Sequence, residues 1–239
     1  MLQEQLLGIL ERKNHWAWPW FAEGRVPLPR LLPHFQQEWE VYVRDFPILL
    51  SRVLGHGPPQ KVCAMLAENI YEEQTGGISG AASHPELFLR LMDGCGYARG
   101  DFARVQLLPA SRAYRGFLDQ VSWGQPWVLG AAVLTIFVEG SVNERRELAA
   151  LSQAPATDAE IEASLRQHPL VRIHRLDPKL LELQRVHKKV EGGHRRDAWD
   201  AVLGNAVGHE EAVASAVERA LQLWLAYRDE VARACGISR

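Results

Sequence analysis

Apolar residues recur at three- and four-residue intervals along most of the chain, and strand-like alternation is nearly absent. This pattern predicts helices over about residues 2–13, 31–54, 60–74, 84–95, 126–148, 177–206 and 208–234. Pro47 is expected to kink the second of these. Residues 55–59 and the Gly/Ser stretch TGGISGAAS after Gln74 are breaks. Thr157 followed by Glu160 is a capping pattern that opens one more short helix. The final helix carries Val213, Val217, Ala220, Trp224, Tyr227 and Val231 at the spacing of a core-facing stripe. Residues 100–117 show no clear period, and residues 149–175 are the least regular stretch. There is no internal repeat and no linker that splits the chain. The expected architecture is therefore all-α, a single helical bundle of about seven or more helices over residues 1–239.

Composition narrows the function classes. The 239 residues are 47% hydrophobic and 23% charged, a globular balance that excludes disorder and fibrous repeats. A net charge of −2 without a basic block argues against a nucleic-acid or anionic-membrane partner. The longest apolar run, residues 127–138, is well short of the roughly 20 residues of a membrane span. The N-terminus reads as an amphipathic helix and not as a targeting signal. Cys63, Cys95 and Cys235 are odd in number and widely spaced, so neither a disulfide framework nor a CxxC metal site is expected. A soluble protein of the reducing cytoplasm is the simplest reading.

Three stretches carry candidate chemistry. In HKKVEGGH, the side chains of Glu191 and His194 fall at about 40° and about −20° from His187 on a helix, so all three share one stripe. Two imidazoles and a carboxylate on one face suit a divalent transition metal. The bland alternative is a solvated face, given Lys188, Lys189, Arg195 and Arg196, but these fall away from the stripe. Glu139 ends the uncharged run WVLGAAVLTIFV, where an ionised carboxylate needs a cation, a donor or a proton. The alternative is that the helix surfaces there, since Asn143, Glu144, Arg145 and Arg146 follow. Glu73 continues the apolar line of Val62, Leu66 and Ile70, whereas Glu72 continues that of Met65 and Glu68. Glu73 is thus the expected inward carboxylate, and His84, at the start of the next helix, can fold back toward it. Together Glu73, His84, Glu139, His187, Glu191 and His194 form a set of oxygen and imidazole donors that favours iron or manganese over thiolate-bound zinc.

The pattern ENIYEEQTGG…SHPELFLRL, then Glu139 in an apolar helix, then HKKVEGGHRRDAW resembles the heme-oxygenase-like diiron oxidases and oxygenases, relatives of thiaminase II and pyrroloquinoline quinone synthase C. The opening HWAWPWFAEGRVPLPRLLPHFQQEWEVYVRDFP is similar to the first two helices of that superfamily. The resemblance implies an all-helical fold with an interior pocket. It implies two Fe(II) ions per chain, an iron–manganese pair being the alternative, held by Glu73, His84, Glu139, His187, Glu191 and His194. Many members carry Asp where this chain has Glu191. The loop after Glu73 is longer than in several members, which keeps Glu72 open as its replacement. Some members add a carboxylate from the first core helix, for which Glu38, Glu40 and Asp45 are the candidates.

The resemblance further implies an enzyme that uses O2 as cosubstrate to oxidise a small organic molecule. An amino acid or its derivative is expected, by N-oxygenation, desaturation or oxidative C–C cleavage in a biosynthetic pathway. Such chemistry can draw on an external electron donor, and superfamily habit implies a homodimer, which light scattering reads directly. Two other classes compete. One is a metal-free hydrolase of the thiaminase II type, which needs a nucleophilic Cys beside carboxylates; neither Cys63 nor Cys95 has an obvious activating His. The other is a non-catalytic helical partner protein, which has no need of Glu139 in an apolar helix.

Overall fold

A computed structural model describes residues 1–150 and 156–239, and the side chains of all of these except residues 190–194. All the regular secondary structure among the described residues is helical, with no strand. The chain opens with α1 (Leu2–Glu11), and the Trp/Pro-rich segment after it holds a short α2 (Trp18–Ala22) started by Pro19. A helix α3 (Leu32–Glu38) then widens into a π-helical segment (Trp39–Val43) and stops. After Arg44 and Asp45 a separate α4 (Phe46–Gly55) begins, with Pro47 in its first turn. The expected single kinked helix is therefore two helices. Proline is tolerated where its missing N–H costs nothing, and that is a helix start.

Next come α5 (Gln60–Thr75), α6 (His84–Gly94) and α7 (Pro109–Trp123). The third of these lies where the sequence pattern was mute. Its buried face is Ser111, Tyr114, Leu118, Val121 and Ser122, a helical spacing partly written in small polar residues. α8 (Trp127–Ala131) runs on as a second π-helical segment (Ala132–Val138). The expected continuous helix to residue 148 breaks after it. Any Cβ at Gly140 would lie 2.1 Å from the Ile136 carbonyl oxygen. A new helix α9 (Glu144–Ala150) follows.

α10 (Asp158–Gln167) has the expected capping box, Thr157 and Glu160 each accepting from the other's backbone N–H. A short α11 (Pro169–Arg172) leads to α12 (Glu182–Asn205) and then α13 (Glu210–Ala234). All six residues of the predicted α13 stripe are buried. This helix packs on α1, α3, α7 and α8. Against it, α12 packs on α5, α6, α8 and α10. Leu6, Leu10, Leu49, Leu50, Leu66, Leu118, Leu134 and Tyr227 are fully enclosed in one contiguous apolar cluster. Each buried side chain of this size contributes roughly 1.5–3 kcal/mol. No described helix is long and apolar enough to cross a membrane.

Candidate metal centre

The last two turns of α5 present Asn69, Glu72 and Glu73 toward α6, α12 and the end of the second π-helical segment. Both carboxylates are turned inward, and Glu72 is the deeper of the two, at 1% side-chain exposure against 13% for Glu73. The sequence favoured Glu73 as the inward carboxylate with Glu72 open as its replacement, and the structure turns both inward. The buried stripe of α5 is Val62, Met65, Leu66, Asn69 and Glu72, and Glu73 sits at its edge. Glu72 accepts from the backbone N–H groups of Ile78 (2.8 Å) and Ser79 (3.0 Å), which staples the Gly/Ser loop onto the helix end. Burial pushes the Glu72 carboxyl up, but hydrogen bonds from Ser79 and Ile78 outweigh this and hold it below its ordinary value. At Gly76 the chain takes a left-handed turn (φ +65°), and a Cβ there would sit 2.5 Å from two carbonyl oxygens. The turn brings His84, first residue of α6, back over α5.

His84 meets Glu73 on one edge and Glu72 on the other. Its Nδ1 lies 2.8 Å from Glu73 Oε1 and 3.3 Å from His187 Nε2 of α12. One donor atom each from Glu73, His84 and His187 fall within 4.8 Å of one another. Atoms that share one first-row ion at about 2.0–2.2 Å lie about 3–4 Å apart, so small side-chain rotations close the set. The opposite edge also fits a metal. His84 Nε2 and Glu72 Oε1 are buried, lie 3.6 Å apart, and have no hydrogen-bond partner. A proton on Nε2 shared with Glu72 leaves Nδ1 free to bind an ion beside Glu73 and His187, the usual carboxylate–histidine–metal arrangement. Burial pulls the His84 imidazole down, yet Glu73 and Glu72 raise it above its ordinary value. The pocket therefore attracts positive charge.

Glu139, at the end of the π-helical segment, lines the same cavity and accepts from Asn69 Nδ2 at 3.0 Å. Glu139 is itself exposed, as are Val142, Asn143, Arg145 and Arg146 after it, so the helix does surface here, which the sequence offered only as the alternative. Glu144 is buried and receives Trp199 Nε1 (2.9 Å) and the Ser141 N–H (3.0 Å). Arg195 bridges Glu144 and Glu147, so α9 is tied to α12. Arg195 also lines the cavity, although its position on the helix wheel placed it off the His187 stripe. The predicted ligands Glu191 and His194 lie on α12, but their side chains are outside the described residues. Of the additional carboxylates, Glu40 and Asp45 are engaged by Arg44, and Asp45 also by Arg115. Glu38 is held by Arg228 and Tyr42. None of the three lines this cavity.

The cavity encloses about 220 Å³ and has apolar walls that include Val43, Phe46, Val138 and Leu183. Tyr42 and Val43 come from one π-helical segment, Thr135 and Val138 from the other. A π turn shifts the side-chain register and frees backbone groups, and such turns concentrate at functional sites. Thr135 Oγ1 donates back to the Ala131 carbonyl at 2.8 Å within the second segment. Sequence reasoning missed Asn69, Tyr42 and the Glu144–Arg195–Trp199 anchor. For Asn69 a signal existed: it stands three residues before Glu72 and four before Glu73, a polar residue on the inward face.

This arrangement of helices has a known counterpart. A TenA homologue from Pseudomonas syringae pv. tomato str. DC3000 superposes with a TM-score of 0.70 over 97% of this chain and 93% of its own, at 12% identity. The chain thus has the TenA-like, heme-oxygenase-like helical fold. The profile of the iron-containing redox enzymes matches residues 33–225, and the chain belongs to that family. A search of curated proteins returns no match.

Proposed function

We propose that this protein is a non-heme diiron oxidase or oxygenase that uses O2 to oxidise a small organic substrate, an amino acid or amino-acid derivative. The observation that carries the reading is the meeting of Glu73, His84 and His187 at the wall of a cavity shared with Glu139, in a chain of the iron-containing redox family. In this reading one group of ligands is Glu73, His84 and His187, and Glu139, Glu191 and His194 complete the pair of sites. Iron bound there supplies the activation of O2 that no side chain provides.

The chain's own residues do the rest. Asn69 fixes the direction of the Glu139 carboxylate through its amide. Glu72 orients His84 and locks the loop that delivers it. Val43, Phe46, Val138 and Leu183 keep bulk water from the reacting centre. The hydrolase reading finds less support. Burial pushes the Cys95 thiol up to about 12 and the Cys235 thiol up to about 11, which suppresses the thiolate. Cys63 donates to the Pro58 carbonyl, and no cysteine lines the cavity.

Anaerobic Fe(II) titration with metal counting tests the proposal. Two irons per chain and an optical change on exposure to O2 are expected. His187→Ala should lose the optical change and O2 consumption while its far-UV circular dichroism stays native. A protein that retains no iron, and whose activity disappears on cysteine alkylation, would be a hydrolase instead.

A further inference from the structure

A second cavity of about 240 Å³ adjoins the first and shares Tyr42, Val138 and Gly140 with it. Its character is different. Lys13 and Arg228 reach it between Trp18, Tyr114 and Trp224. Arg228 is 6% exposed and stacks on Trp18 (5.0 Å) and Trp224 (5.3 Å). Its Nη2 donates to Glu38 at 2.6 Å, but its Nε is buried with no hydrogen-bond partner. Lys13 donates to the carbonyls of Phe137 (2.6 Å), Val138 (3.1 Å) and Gly140 (2.6 Å), the end of the helix that carries Glu139. It pairs with no carboxylate among the described residues. Carbonyls at a helix end supply only about half a negative charge. Burial and the Arg228 charge, with Arg195 adding to them, push the Lys13 ammonium down to about 7 against the opposing pull of Glu144 and Glu139. A buried cationic donor without a partner, such as Arg228 Nε, is costly, and a bound anion removes that cost.

We infer that this cavity is the subsite for the carboxylate of the substrate, held by Arg228 and Lys13 between indole walls, with the rest of the molecule passing Tyr42 and Val138 toward the carboxylate–imidazole cluster. The inference rests on the oxidase reading for its direction, but the binding it describes does not require iron. An ammonium is excluded by the two cations. A carboxylate takes the free Arg228 Nε donor and lies in the field of Lys13, whose own donors go to the helix-end carbonyls, and the aromatic walls favour an apolar or aromatic body next to it.

The test uses the metal-free full-length protein and two probes of equal shape, 3-phenylpropanoate and 3-phenylpropanamide, with binding read by calorimetry. The acid should bind at least about tenfold tighter than the amide, a gap of the size expected for a charge-assisted contact. Lys13→Met replaces the cation by an apolar chain of similar length and should abolish that preference, and Lys13→Arg should restore it. Inorganic phosphate should compete weakly or not at all. Equal affinity of acid and amide in the wild type would overturn the subsite, whatever becomes of the variants. So would an undiminished preference in a folded Lys13→Met protein. Iron stoichiometry is measured separately, so a carboxylate site that binds in a protein without two irons would refute the oxidase reading and leave the subsite standing.

Discussion

Two adjacent glutamates carry different work at the end of α5, and only the loop that follows separates their roles. Glu73 faces His84 Nδ1 and His187, whereas Glu72 is spent on two backbone N–H groups and on the far edge of the same imidazole. Glu73→Gln should therefore lose iron at that site with little change in melting temperature. Glu72→Gln should weaken Fe(II) binding by about 10–100-fold, the usual effect of losing a partner behind a ligand, and should also lower the melting temperature. Fe(II) titration alongside thermal unfolding checks both. Unperturbed iron binding in Glu73→Gln, with complete loss in Glu72→Gln, would reverse the assignment. The approach of Glu73 to His84 is legible in the sequence because both flank one short loop. The depth of Glu72 is not, since one helical position cannot show that loop amides will fold back onto it.

Most elements can be read from their apolar period, and the unreadable ones share a physical cause. Residues 127–138 are apolar at almost every position, so nothing in the pattern marks the wider π turns of that helix. α7 hides because Ser111 and Ser122 stand where apolar residues are expected, on a face pressed against α4 and α13. The break at Gly140 is written in a residue whose need becomes visible only when the Ile136 carbonyl is in place. Gly76 is the clearest element-level device, because the hairpin of α5 and α6 that brings His84 to the centre turns there. Gly76→Ala adds a Cβ against the carbonyls of Ala81 and Ala82 in a left-handed backbone. It should cost about 1–3 kcal/mol in urea unfolding. Fe(II) affinity should fall with it, because His84 loses its registration over α5. A variant of wild-type stability would show that the loop is not under this constraint.

Across the whole molecule, the helix that closes the bundle is joined to its first core helix by a buried charge cluster. Arg228 of α13 reaches Glu38 of α3, 190 positions away in sequence, and His34 and Tyr42 complete the set. None of this is legible from local pattern, because the partners meet only after the chain has folded. Burial alone pushes the Glu38 carboxyl up. The charges of His34 and Arg228, with hydrogen bonds from Arg228 and Tyr42, more than offset that and hold it at about 2. The unfolded carboxyl titrates near about 4.3. As pH falls the unfolded chain therefore takes up the proton first, so the contribution is full above about 4.3 and is lost as pH falls toward 2. Glu38→Gln strands the Arg228 guanidinium and should cost about 3–5 kcal/mol at neutral pH. Its disadvantage should shrink between pH 5 and pH 3, where the wild type sheds this contribution and the variant has none to shed. Urea unfolding of both proteins at the two pH values isolates the effect, because Asp45 and Glu86, also held at about 2 by arginines, titrate alike in both. A gap between the two proteins that stays constant across that range would mean that Arg228 does not depend on an ionised Glu38. The reading of Arg228 as a guanidinium balanced by Glu38, with its Nε left for a carboxylate in the neighbouring cavity, would then have to be redrawn.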